Sequence, residues 1–104
     1  MKEYCVVLTT LDKEEDARRM IDAVLENRLA ACVQTTDIAS HYTWKGEVCH
    51  DKEILVLFKT AKRHYEALEA KIKGLHPYET PEIIAFDIHK GFKGYLDWID
   101  EVTE

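Results

Sequence analysis

The sequence predicts an α+β sandwich in the order strand, helix, strand, strand, helix, strand, closed by a further helix. Three observations predict it. Short runs rich in Val, Ile, Thr and aromatic residues mark the strands. Between them, apolar residues recur with the period of an α-helix. Two of the extended runs are joined by a two-residue turn signal and are far longer than usual.

Residues 3–10, "EYCVVLTT", read as the first strand. The run is apolar on both faces, which suits a central place in a sheet. Asp12 reads as a helix N-cap, with Glu15 three residues on as the other half of a capping box. Ala17, Met20, Ile21, Val24 and Leu25 follow at the i, i+3, i+4, i+7, i+8 spacing of a helix lying on a core. Asn27 ends it.

Residues 30–44, "AACVQTTDIASHYTW", form a long extended segment, and "KG" at 45–46 signals a turn. Residues 47–60, "EVCHDKEILVLFKT", return as its partner. Each arm runs to about fourteen residues, against roughly 5–6 in an ordinary strand. Thr60 reads as the cap of a second helix with the stripe Ala61, Tyr65, Leu68, Ile72 and Leu75, and Gly74 lies near its end. A fourth strand is predicted over 82–89, "EIIAFDIH", and a short closing helix over 92–102, "FKGYLDWIDEV".

Two interleaved right-handed β-α-β crossovers in this order make a ferredoxin-like sandwich, one sheet with two helices on one face. The second strand then lies at an edge, and it carries Ile38, Tyr42 and Trp44. An edge that long and that apolar needs cover, and another copy of the chain pairing across it supplies one. Residues 54–58, "ILVLF", are apolar on both faces, so the sheet face opposite the helices also needs a partner.

A length of 104 residues is that of one domain, 1–104, and 46% hydrophobic content is enough for a core. A net charge of −6 argues against nucleic acid as a partner, because phosphate binding requires clustered Lys and Arg. Cys5, Cys32 and Cys49 are odd in number and widely spaced. They form neither a disulfide framework nor a CxxC motif, and read as reduced thiols filling apolar space. "YCVVLTT" near the N-terminus is too short for a signal segment or a membrane span, so a cytoplasmic location with no membrane association is expected.

The chemistry concentrates in "LHPYETPE", residues 75–82, which holds both prolines of the chain. Each proline pushes the residue before it, His76 and Thr80, toward extended backbone, and stiffens the segment. His76, Tyr78, Glu79 and Glu82 are thereby presented on a rigid loop. Histidine and carboxylate are metal ligands or acid–base groups. A plain helix-to-strand connector, with solvated glutamates and a packed tyrosine, accounts for the same residues. A second candidate lies on the long hairpin. If Lys45-Gly46 is a two-residue turn, Trp44 faces Glu47, Tyr42 faces Cys49 and His41 faces His50. The two histidines then form a cross-strand pair able to share a metal ion, or an exposed polar pair. On pattern alone Trp44 reads as packing and Lys59 as solvated. No GxSxG, Walker or HExxH motif occurs, and no nucleophile stands beside a base, so an enzyme is not expected.

"LAACV" at 29–33, "YTWKGEV" at 42–48, "DKEILVLFKT" at 51–60, "LHPYETPEI" at 75–83 and "YLDW" at 95–98 together resemble the CutA divalent-cation tolerance family over essentially the whole chain. The resemblance implies a ferredoxin-like protomer in a homotrimer organised like the PII signalling proteins, with clefts between subunits. It implies a non-enzymatic role in tolerance of copper and other divalent cations, with no obligatory cofactor. The family's characteristic side chains match Tyr42, Trp44, Lys59, His76, Tyr78, Glu79 and Glu82. On this basis His76, Glu79 and Glu82 are expected metal ligands, and Tyr42, Trp44, Lys59 and Tyr78 are expected to line the cleft. A PII-like signalling or small-ligand-binding trimer is the alternative. Two positions depart from copper-binding members, which carry a cysteine and a second histidine where this chain has Thr9 and Leu75. That loss removes a soft thiolate and an imidazole from the expected copper site.

Overall fold

A computed structural model describes residues 3–104 of the chain. The elements run β1 (Tyr4–Leu11), α1 (Glu14–Glu26), β2 (Cys32–Trp44), β3 (Glu47–Ala61), a 3₁₀ turn at Lys62–His64, α2 (Tyr65–Leu75), β4 (Ile84–Asp87) and α3 (Lys93–Val102). The four strands form one antiparallel sheet in the order β2-β3-β1-β4. This is the βαββαβ order the sequence predicts.

Strand alternation sorts the side chains by face. Cys5, Val7 and Leu11 of β1, with Val56 and Phe58 of β3, pack against Ala17, Met20 and Val24 of α1 and Leu68 and Ile72 of α2. Both helices therefore cover the same face. Val6, Leu8, Leu55, Leu57, Ile84 and Phe86 alternate onto the other face. Ile84 is 45% exposed and Phe86 59% exposed there. A smaller cluster of Tyr4, Ala61 and Ile99 seats α3 at the end of the sheet. The Tyr4 phenol bonds to the buried Asp100 carboxylate, which also accepts a 2.6 Å bond from Arg63 Nη1.

Several expected boundaries move. Asp12 is not the cap of α1. The buried Leu11 carries β1 one residue further, and Lys13 takes the extended cap geometry with no side-chain cap bond. Glu14, Glu15 and Asp16 instead set negative charge against the helix N-terminus. Thr60 does not cap α2 either. It is buried inside β3, and its Oγ1 donates to the Leu29 carbonyl at 2.7 Å. Ala61 accordingly belongs to the strand and the α3 cluster, not to the stripe of α2. β4 is shorter than 82–89, because Pro81 has no N–H for a ladder and pairing with β1 begins at Ile84. Of the three thiols only Cys5 is buried. Cys32 is half-buried opposite Lys59 on the face away from α1 and α2, because Val33 takes the core side.

The hairpin turns through Lys45 at φ 50° and Gly46 at φ 81°. Two positive φ values in succession make the type I′ turn that matches strand twist. The expected register follows, with Trp44 opposite Glu47, Tyr42 opposite Cys49 and His41 opposite His50. β1 pairs with β3 only over residues 54–61. Residues 38–44 and 47–53 therefore pair only with each other, a ribbon projecting about 23 Å at roughly 3.3 Å per residue. The chain accordingly measures 44 × 26 × 22 Å.

Candidate functional site

The loop after α2 crosses the end of β1 and faces the root of the ribbon. His76 follows α2 with φ −78° and ψ 131°, the extended conformation its following proline requires. Its Nε2 lies 2.8 Å from the Thr10 carbonyl, and its Nδ1 accepts the Tyr78 backbone N–H at 3.2 Å. A carbonyl only accepts, so Nε2 carries the proton and the ring is neutral. Burial lowers the His76 pKa from its ordinary value, against a smaller opposing effect of the Thr10 carbonyl. Both ring nitrogens are engaged, so His76 acts as the rivet of the loop. To ligate a metal through Nδ1 it must release the Tyr78 N–H.

Held this way, the Tyr78 ring meets His76 edge-on at 4.6 Å, and its hydroxyl donates to Glu53 Oε2 at 2.7 Å. Burial, then the bond to Glu53, raises the Tyr78 pKa far above that of a free phenol. On the ribbon, Tyr42 donates to Asp51, and this bond pushes the Tyr42 pKa up to about 12. Both phenols therefore stay protonated at neutral pH and are committed to carboxylates.

A cleft of about 700 Å³ lies between loop and ribbon, lined by Tyr42, Trp44, Glu53, Tyr78, Glu79 and Glu82 among others. Among the described lining residues there is no lysine or arginine. Lys45 stands nearby, 3.9 Å from Glu79, in a pair exposed on both sides and so of little energetic weight. Of the expected site residues, the structure brings Tyr42, Trp44, Tyr78, Glu79 and Glu82 together. His76 lies behind the wall they form. Lys59 is elsewhere: it sits six residues along β3 from Glu53, its ammonium 5.8 Å from the Tyr95 ring. That separation is about 20 Å along an extended strand. Thr9 is buried on the helix face and Leu75 packs on the core, so neither offers a ligand. Glu53 was not among the expected residues. Its signal was a lone carboxylate entering the apolar run "ILVLF" in the alternation of Leu55 and Leu57.

Among the described residues, no three His, Cys, Asp or Glu side chains converge closely enough to hold a metal ion. The carboxylates of the cleft, Glu53 on the ribbon and Glu79 and Glu82 on the loop, line it without closing on one point.

The divalent ion tolerance model CutA1 matches residues 5–102. The chain belongs to the CutA1 divalent ion tolerance family. It is 46% identical over 99 residues to the CutA divalent-cation tolerance protein of Thermus thermophilus, covering 94% of this chain and 96% of that one. It is 41% identical to protein CutA of Mus musculus over 96 residues, 91% of this chain, and spans about half (54%) of the mouse protein's length. A CutA structure from Archaeoglobus fulgidus, described as a periplasmic divalent cation tolerance protein, superposes with TM-score 0.95 at 35% identity, covering 97% of this chain and 99% of that one. CutA proteins are tolerance proteins with no known catalytic activity. No helix among the described residues is long and apolar enough to cross a membrane.

Proposed function

We propose that this CutA protein serves divalent-cation tolerance by binding the cation in the cleft between the His76–Glu82 loop and the hairpin root. The observation that carries this reading is charge. Glu53, Glu79 and Glu82 line one cleft that has no Lys or Arg among its described lining residues. Oxygen donors of this kind suit divalent cations. Imidazole suits copper better than carboxylate alone, and for His76 to supply one its Nδ1 must give up its bond to Tyr78.

The ligand set of one chain is open, and a second copy completes it. The ribbon supports this. Two strands alone are marginal in water, and this pair has no third strand beyond residue 53. Ile84, Phe86 and the half-buried Leu55 and Leu57 leave an apolar sheet face open. We assign both features to a homotrimer whose neighbouring subunits wall the clefts. Free cysteines at 5, 32 and 49 suit a reducing compartment, and the cytoplasm is our proposed location.

A small organic ligand is the second reading. The cleft is much larger than a bare ion, and Tyr42, Trp44 and Tyr78 supply aromatic walls. An anionic ligand held jointly by Lys59 and Trp44 of one chain is not supported, since the two stand far apart.

Titration with Mn(II), an ion that prefers oxygen donors, by calorimetry on the parent and on Glu53→Gln/Glu79→Gln/Glu82→Gln, tests the first reading. Stoichiometric binding lost in the triple variant supports it. Equal binding by both proteins overturns it.

A further inference from the structure

We propose that His41 and His50 form a two-imidazole clamp on the projecting ribbon, a site for Cu(II) in preference to Zn(II). His41 is also among the residues lining the cleft, and the clamp differs from the carboxylate reading in its donors, which are nitrogens on two paired strands.

The geometry begins at the turn. In a two-residue hairpin the residues flanking the turn form a hydrogen-bonded pair, and pairs alternate from there. Trp44–Glu47 is that first pair, so Thr43–Val48 is non-hydrogen-bonded, Tyr42–Cys49 hydrogen-bonded and His41–His50 again non-hydrogen-bonded. Non-hydrogen-bonded pairs bring side chains closest, at about 4.5 Å between Cα atoms. Both histidines are exposed, and their Nδ1 atoms lie 2.7 Å apart with ring planes at 70°. One Nδ1 donates to the other, so the rings hold opposite tautomers. A metal ion replaces that shared proton. The donating ring moves its proton to Nε2 through water, and both Nδ1 lone pairs then point to one place.

The separation selects the ion. Metal–imidazole bonds of about 2.0–2.1 Å at a right angle set the nitrogens about 2.9 Å apart, and at a tetrahedral angle about 3.3–3.4 Å. The observed 2.7 Å needs little opening for the first and much more for the second. Right-angled, square-planar coordination is the preference of Cu(II), and tetrahedral that of Zn(II). The neighbours on this face of the ribbon, Ala39, Thr43, Val48 and Lys52, supply no imidazole, thiolate or carboxylate. The remaining coordination positions are left to water or an incoming ligand. Bound metal would also clasp the two strands of the ribbon to each other.

Cu(II) titration of the full chain, followed by electron paramagnetic resonance, tests the clamp. The expected result is one equivalent per chain with splitting from two equatorial nitrogens. His41→Ala and His50→Ala should each weaken that binding by about tenfold or more, through loss of the chelate. Both sites are exposed, so folding should survive, as circular dichroism would verify. His89→Ala, exposed and off the ribbon, should bind like the parent. The carboxylate triple variant should also keep this signal, which separates the clamp from the cleft. Cu(II) should slow amide exchange over residues 38–53 in the parent and not in His50→Ala. An unchanged two-nitrogen signal in both histidine variants would overturn the proposal, as would Zn(II) binding more tightly than Cu(II).

Discussion

The Tyr78 hydroxyl donates to the Glu53 carboxylate at 2.7 Å across 25 residues of sequence. This bond ties the proline-stiffened loop to the root of the ribbon and fixes one end of the cleft. Tyr78→Phe leaves a half-buried carboxylate without its donor and should cost about 1–3 kcal/mol. Glu53→Gln keeps an acceptor and should cost under about 1 kcal/mol. Urea unfolding of the two variants measures the difference. Equal midpoints would mean the bond does not hold the loop.

The state of His76 makes loop stability depend on pH. Its folded pKa lies below the ordinary 6.5, so the unfolded chain takes up the proton first. The contribution is therefore complete above pH 6.5 and is lost as pH falls through the lowered folded value. His64, also lowered by burial, acts in the same direction. Nitrogen NMR should show His76 as the Nε2–H tautomer at pH 7, with a midpoint below 6.5. A midpoint at or above 6.5 would contradict the hydrogen bonds assigned to its ring.

Asp100 is 5% exposed and is held by Tyr4 and Arg63. Asp100→Ala strips the charge partner from the half-exposed Arg63 and leaves the buried Tyr4 hydroxyl stranded, at a cost of about 1–3 kcal/mol. The Tyr4 bond anchors α3 to β1, so amide exchange in Lys93–Val102 should rise more than in α1. Uniform acceleration across both helices would show that α3 does not open separately.

The sheet face opposite α1 and α2 carries the assembly prediction. Phe86 is 59% exposed in the single chain. Phe86→Glu places a charge where the proposed trimer requires apolar cover, and light scattering should then shift from three times the 12.1 kDa chain mass toward the monomer. A parent already monomeric, or a variant still fully trimeric, would contradict the assembly.

Much of this was legible in the sequence. Helical stripes and long β-branched runs fix element order because burial is periodic, and Gly46 marked the turn that sets the His41–His50 register. The boundaries at Asp12 and Thr60 were not legible, because a polar residue that caps a helix and one buried in a strand look alike until the strand's length is known. The loop at 75–82 announced itself by its prolines. What it does with His76 was hidden, since the Thr10 carbonyl that occupies the ring lies 66 residues away. Glu53 was masked by the apolar run beside it. Lys59 was expected to line a cleft between subunits, and within one chain its register opposite Cys32 places it away from the other cleft residues.

The central claim is that the carboxylate cleft holds the cation. Crystals grown with Mn(II) and recorded at the manganese absorption edge test it most directly. The account predicts an anomalous peak in the cleft within about 2.0–2.6 Å of a carboxylate oxygen from Glu53, Glu79 or Glu82. A map with no peak there, at Mn(II) concentrations that saturate binding in solution, would contradict it.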